Sequence, residues 1–277
     1  MPLRFCWLFC VIACLLSLPR SPLAADLRLG YPDQAVYPFH LGEGGEIPQP
    51  PGMAVDLTLR LLRQSGLSVE LLRLPIRRLH EELRAGRVDG WLGLSYTPER
   101  AEYLAYPLHG GQPDSARRLL ASQYALYRPL GGSAHWAMQT GTIQAGTMQA
   151  GLTPTGFIPT GLTSGPLGMP AGFALVQDMR GQGLAVEEFS DAAHMFRLLA
   201  LNRLGAVLAK ENAADRMIEG LGMAPRIEKL PGLMARDYFL AVNKRLYAER
   251  RDAIEALWDA MAQQRDAVYA ELAPLYR

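Results

Sequence analysis

The sequence predicts an α/β protein built as two similar lobes, each around a mostly parallel sheet, with a cleft between them. Three observations lead there. Short apolar strands alternate with segments of helical apolar spacing and short loops, as in parallel strands joined by crossover helices. The alternation occurs twice, with matching glycine and arginine landmarks. The composition, 49% hydrophobic and 20% charged over 277 residues, is that of an ordinary globular chain with room for a sizeable core.

Residues 1–25 stand apart. Arg4 precedes an apolar run from Phe5 to Leu18, and the segment ends in small residues at Ala24-Ala25. It reads as a secretory signal peptide, with a retained anchor as the weaker alternative. Cys6, Cys10 and Cys14 all lie inside it, so a chain starting near Asp26 has neither thiol nor disulfide and depends on its core. Val11-Ile12-Ala13-Cys14 also resembles a lipoprotein cleavage box, which ranks second and would put a lipid on Cys14. Cleavage after Ala25 removes Arg4 and Arg20 and no acid, leaving one more acidic than basic residue. No basic field for nucleic acid is present.

In chain order, Leu27 to Tyr31 alternates as a short strand and Tyr37-Pro38-Phe39 forms an aromatic loop after it. The stretch from Gly42 to Gly52 is a turn region. From Met53 a helix places Val55, Leu59 and Leu62 on one face and ends at Gly66. Ser68 to Leu72 is the next strand, Ile76, Leu79 and Leu83 mark the next helix, and a strand follows Val88. The second half repeats this grammar. Gly183-Leu184-Ala185-Val186-Glu187 mirrors Gly66-Leu67-Ser68-Val69-Glu70, and Arg203-Leu204-Gly205-Ala206-Val207-Leu208 mirrors Arg87-Val88-Asp89-Gly90-Trp91-Leu92. The glycine-to-arginine interval is 21 residues in the first copy and 20 in the second. Tyr238 to Asn243 is a final strand. Ile254, Leu257, Trp258 and Met261 then sit at helical spacing, and Val268 to Tyr276 suggests a last helix, with Trp258 read as core.

Between the copies, Gly141, Gly146, Gly151, Gly156 and Gly161 recur every five residues. That period fits neither helix nor strand, and glycine at such density weakens both. The expectation is a mobile surface insertion at about residues 131–165.

Arg87 through Arg100 holds the most chemistry. A buried strand through Trp91, Leu92 and Leu94 runs into a helix start with Thr97 as N-cap and Pro98-Glu99 in the first turn. Gly93 lets a ligand approach the backbone, and Arg100 stands one turn into the helix, where its fork could hold an anion. The alternative is a surface helix with a solvated arginine.

Together these residues resemble the periplasmic solute-binding proteins of the amino-acid (family 3) type. Gly52-Met53-Ala54-Val55-Asp56-Leu57 is similar to that family's first-helix signature, Arg84 through Gly90 to its next turn and strand, and Ser95 through Arg100 to its ligand-binding segment. The resemblance implies a type II, Venus-flytrap fold. Crossover strands would lie near Ser122 to Tyr127 and near Arg236 to Val242, with the C-terminal helices packed back on lobe one. Lobe one would comprise residues 26–122 plus 243–277 and lobe two residues 123–242. It also implies that Arg100 receives a ligand carboxylate, with Ser95 adding a hydroxyl and Gly93 a backbone group. Tyr37, Phe39 and Ile76 would form an apolar wall. Pro170-Ala171-Gly172-Phe173 resembles the second-lobe anion loop at a helix N-terminus, bringing Gly172 and Phe173 to the site.

Three departures stand out. The signature's aromatic and first acid are Met53 and Ala54 here, and one residue is missing between Asp89 and Arg100, which bears on Gly93. Five residues after Gly205, where amino-acid binders carry an aspartate for the ligand's ammonium, this chain has Lys210. Lys210 would repel an ammonium, which points to an acidic solute such as a dicarboxylate clamped between Arg100 and Lys210. A one-residue slip would instead put Glu211 in the cleft and restore amino-acid chemistry.

The expected function is therefore extracytoplasmic, periplasmic binding of a small carboxylate-bearing solute, organic acid or amino acid, by a monomer that delivers it to an ABC permease. Sensing for a membrane receptor is the alternative. A dehydratase on the same fold ranks below both, because the catalytic inventory is thin. There is no Gly-x-Ser-x-Gly elbow, His80-Glu81-Glu82-Leu83 lacks a second zinc-binding histidine, and Gly181-Gln182-Gly183 is not a dinucleotide loop. His40, His80, His109, His135 and His194 are scattered and read as surface or turn residues. No cofactor, metal or nucleic-acid partner is expected.

Overall fold

The structure is a computed structural model that describes residues 26–138 and 157–276. The expected signal peptide, the three cysteines, and Gly141, Gly146, Gly151 and Gly156 lie outside the described residues.

The chain opens with β1 (Leu27–Pro32), α1 (Met53–Gln64), β2 (Val69–Leu74), α2 (Ile76–Arg84) and β3 (Gly90–Leu94). A single turn, α3 (Pro98–Ala101), and the short strands β4 (Leu104–Ala105), β5 (Leu108–His109) and β6 (Gln112–Pro113) follow. The long strand β7 (Leu120–Pro129) leads to β8 (His135–Met138) and β9 (Phe157–Thr160). Then come β10 (Leu167–Pro170), α4 (Leu175–Gly181), β11 (Val186–Phe189), α5 (Ala192–Ala200), β12 (Ala206–Lys210) and α6 (Glu211–Gly220). The chain ends with β13 (Ile227–Asn243), α7 (Lys244–Glu249) and α8 (Arg251–Leu272).

The main sheet runs β11-β10-β12-β7-β13-β3-β1-β2, with β4 added on β13. Its order is nearly palindromic. In each half a central strand, β1 or β10, is flanked by two parallel partners, and an antiparallel strand, β13 or β7, closes the inner side. Strands β7 and β13 also pair with each other from Leu120–Tyr238 to Pro129–Ile227 and so join the lobes.

The internal repeat is real in register. Gly90 and Trp91 face Leu29 and Gly30 of β1, just as Ala206 and Val207 face Leu167 and Gly168 of β10. The other mirrored pair is offset by two: Leu29 faces Leu71, whereas its counterpart Leu167 faces Val186. A two-residue offset keeps side chains on the same sheet face, which is why the apolar pattern concealed it.

Two expectations need correction. The last helix expected at Val268 to Tyr276 is the continuation of α8, which runs unbroken to Leu272 and ends in a 3-10 turn. No glycine or proline interrupts it before Pro274. The final strand is far longer than Tyr238 to Asn243, because β13 continues through Pro231-Gly232 by a register shift between Leu230 and Met234.

The lobe-one core joins α1 to α8 through Leu57, Leu61, Leu62, Leu257, Trp258 and Met261. Trp258 is fully buried, and its indole N–H donates to the Leu240 carbonyl at 2.9 Å. The lobe-two core lies on both faces of its sheet, with Phe196, Leu199 and Val207 on one side and Leu167, Met169 and Leu175 on the other. Around the pentad segment, β8 and β9 form a separate antiparallel pair, tied to β13 by Trp136 Nε1 donating to the Pro231 carbonyl at 2.8 Å.

Candidate functional site

The two lobes meet where the parallel strands end, the position at which open α/β sheets present ligand sites. On lobe one, β3 carries a bulge. Leu92 and Leu94 face the consecutive residues Leu240 and Phe239, leaving Gly93 unpaired at φ +76°. Glycine adopts that angle without a Cβ clash, so Gly93 has a conformational reason independent of any ligand. The bulge leads into Ser95, which is buried, and then to Thr97, whose hydroxyl accepts from the Arg100 N–H at 3.2 Å as an N-cap should. The helix it caps is only four residues long. The expected contribution of a helix terminus to anion binding therefore falls away, and the chemistry rests on the Arg100 side chain.

Arg100 is held by its own lobe and reaches the other. One Nη donates to the Ser95 carbonyl at 2.9 Å and to Ser95 Oγ at 2.8 Å, and the second donates to the Gly172 carbonyl at 3.2 Å. The fully buried Tyr106 hydroxyl also donates to the Ser95 carbonyl, at 3.2 Å. Beside this contact Ile76, at the start of α2, packs so closely on Gly172 that a Cβ there would stand 3.2 Å from Ile76 Cγ2. Arg100, Ser95, Ile76 and Gly172 thus form one cluster across the lobes. It opens on a groove of about 970 Å³ lined by α2, α3 and the loop from Ala171 to Ala174.

The second-lobe loop differs from expectation. Helix α4 begins at Leu175, beyond the loop. The Gly172 N–H donates to Glu188 Oε2 at 3.3 Å and its carbonyl is taken by Arg100. Both backbone groups of Gly172 are engaged within the protein, so Gly172 latches the lobes and its own N–H is not free for an anion.

Lys210 ends β12 and points at aromatics. Its Nζ is 4.0 Å from the Tyr238 ring centroid and 5.6 Å from that of Phe173. Phe173 also lines the groove beside Arg100, and so connects the two cations. Glu211 turns elsewhere, with Oε1 2.7 Å from Lys229 Nζ. Tyr37 faces lobe two, with the Arg216 guanidinium 4.1 Å above its ring, while its hydroxyl donates to the Tyr276 carbonyl at 2.5 Å. Phe39 instead belongs to the lobe-one core, because the Pro38 and Phe39 carbonyls accept from the first N–H groups of α1 and fold the loop inward.

Three residues missed by sequence reasoning belong to this region. His40, read as a surface or turn residue, is buried, and neither ring nitrogen has a hydrogen-bond partner among the described residues. Burial first, then the charges of Lys210 and Arg73, push its pKa down to about 3. His80, also read as a surface residue, is half-buried. Its Nδ1 lies 2.6 Å from the Tyr103 hydroxyl, and burial with the charges of Arg100 and Arg84 lowers its pKa to about 4. His109, His135 and His194 are exposed as expected. The third, Arg236 on β13, is fully buried. It pairs with Asp178 at 3.2 Å in lobe two and donates to the Tyr96 carbonyl at 3.1 Å in lobe one. Burial raises the Asp178 pKa, with Arg236 pulling the other way.

No family model and no curated protein matches the sequence. Solved structures do match over most of their length. A histidine kinase sensor domain with similarity to periplasmic binding proteins aligns with 89% of this chain and 96% of its own, at 16% identity and TM-score 0.64. The arginine-, lysine-, histidine-binding protein ArtJ from Geobacillus stearothermophilus aligns with 91% and 95%, at 15% identity and TM-score 0.62. The GluR0 ligand-binding core from Nostoc punctiforme, in complex with L-glutamate, aligns with 91% and 99%, at 15% identity and TM-score 0.60. At these identities the likeness establishes the fold. The chain has the two-lobed, type II periplasmic-binding-protein fold: its sequence pattern predicts the two lobes, and its family resemblance implies the type. Among the described residues no helix is long and apolar enough to cross a membrane.

Proposed function

We propose that this chain is an extracytoplasmic solute-binding protein of the amino-acid (family 3) type that closes around a small carboxylate-bearing solute. The observation that carries the reading is Arg100. Its guanidinium is aimed by Ser95 into the cleft and touches the opposite lobe, yet it has no ion pair with a described residue. A planar fork so positioned suits a carboxylate. Ser95 and Ile76 belong to the same contact surface, and Phe173 stands at its flank.

In this reading residues 1–25 direct export, residues 26–122 with 243–277 form one lobe and 123–242 the other, and a monomer hands its solute to a membrane permease. The likeness to ArtJ and to an amino-acid-binding core supports uptake or binding of small solutes. The likeness to a histidine kinase sensor domain favours a second reading, in which the closed form reports the solute to a membrane receptor.

A thermal-shift screen of solute-free protein against organic acids and amino acids tests the first step. A solute at about 100 times its Kd adds roughly 2.7 kcal/mol to the native state and raises the melting temperature by several degrees. Arg100→Ala should abolish the shift with the apo circular dichroism unchanged. An undiminished shift removes Arg100 from the site.

A further inference from the structure

The fate of each charge around the cleft separates the two solute classes left open above. The second-lobe elements bordering the cleft bring carboxylates near it, and each is already matched. Asp178 is bound by Arg236. Glu188 receives Arg180 at 2.9 Å on one oxygen and the Gly172 N–H on the other. Glu211 is held by Lys229 at 2.7 Å, away from Lys210. Glu81 and Glu99 sit exposed at the groove's mouth. The cations behave in the opposite way. Arg100 and Lys210 reach the cleft from opposite lobes, and neither has an ion pair with a described residue.

Lys210 is also surrounded for an anion's sake. Its ammonium rests on the faces of Tyr238 and Phe173, which attract a cation without neutralising it. Within reach of its charge lies His40, buried and neutral, with both ring nitrogens lacking partners among the described residues. His40 packs at 5.3 Å against Tyr31, near the end of β1, and the buried Tyr31 hydroxyl is likewise without a partner. An ammonium placed beside Lys210 would meet a cation, and Glu211, the neighbouring carboxylate among the described residues, is held by Lys229.

We infer that the site selects an organic acid with two anionic ends and no ammonium, one carboxylate on Arg100 and the other on Lys210. The inference rests on the solute-binding reading above and assigns its substrate class. Lys210 is the residue that sets specificity.

The test is calorimetric titration of solute-free protein with 2-oxoglutarate, succinate, pyruvate, L-glutamate, L-glutamine and L-arginine. The pair 2-oxoglutarate and L-glutamate isolates the ammonium, because both carry two carboxylates on the same carbon skeleton. The diacids should bind, with 2-oxoglutarate at least about 10-fold tighter than L-glutamate, and Lys210→Met should weaken them roughly 10- to 100-fold. Lys210→Asp should turn the preference toward L-glutamine or L-arginine. Far-UV circular dichroism of each variant checks that it is folded. Glutamine, arginine or pyruvate matching the diacids in the unsubstituted protein overturns the inference, as does a diacid affinity insensitive to Lys210→Met. If amino acids bind and are lost in Arg100→Ala, the solute-binding reading stands and only the diacid class falls. If none of the six binds, both readings fall.

Discussion

Acid should destabilise this protein well before its carboxylates titrate, and His40 should be the main cause. Its folded pKa is about 3 because burial, Lys210 and Arg73 all oppose its charged form, whereas an unfolded histidine titrates near 6.5. Between those values the unfolded chain binds a proton that the native chain refuses. Stability therefore falls as pH falls, at up to about 1.4 kcal/mol per pH unit for one group. From pH 6.5 to pH 5 that is about 2 kcal/mol for His40. His80, lowered to about 4 by burial, Arg100 and Arg84, adds a comparable but smaller amount because it is less buried. Glu82 and Glu228 are held below the usual carboxylate range by hydrogen bonds from Arg87 and Arg128, so they surrender stability only at more acid pH. Urea unfolding followed by tryptophan fluorescence at pH 7 and pH 5 measures the loss. His40→Leu should reduce it by about 2 kcal/mol, and an imidazole NMR titration should show His40 neutral at pH 5 in the native state. An identical loss in His40→Leu, or a native His40 titrating near 6.5, would refute the assignment.

Two further substitutions probe the scaffold. Gly52 precedes α1 at φ +118°, and a Cβ there would lie 2.3 Å from the Phe39 carbonyl oxygen. Gly52→Ala should lower stability by at least about 2 kcal/mol, read as a lower melting temperature, and an unchanged melting temperature would contradict this geometry. Arg236→Met strips the partner from the buried Asp178 and should cost about 3–5 kcal/mol, whereas the double variant with Asp178→Leu should recover most of the loss. Additive losses in that double-mutant cycle would show that the two side chains do not act as a pair.

The repeat was legible because each half must bury the same central strand, so the register of Gly90-Trp91 and of Ala206-Val207 survives as a matched pattern. Lys210 could be located for the same reason, five residues after a landmark glycine. Arg236 was not found, because Pro231-Gly232 interrupts the strand signal just before it. Even so, Met234, Arg236, Tyr238 and Leu240 are all buried at period two, a pattern that identifies Arg236 once the register shift is allowed for. His40 was hidden for a different reason. Its burial comes from the Tyr37-to-Phe39 loop supplying carbonyls to α1, a contact made across a turn rich in glycine and proline that carries no periodicity. The single-turn length of α3 was also illegible, since the cap at Thr97 is the same for a short helix as for a long one.

These charges suggest how closure would be coupled to a solute. Arg100 on lobe one touches lobe two through Gly172, Lys210 on lobe two acts on His40 in lobe one, and Arg236 on the joining strand holds both lobes at once. Among the described residues, Arg236 is the one of the three that is paired with a carboxylate. In the proposed closure the other two cations would come toward one another, and the loss of water would strengthen their repulsion. A neutral solute leaves that repulsion in place. An anion between the cations turns it into attraction, so its binding energy is larger in the closed state than in the open one, which is the condition for a ligand to shift the equilibrium. On this argument the residue that makes the amino-acid ligand doubtful is also the one that makes closure depend on the solute's charge.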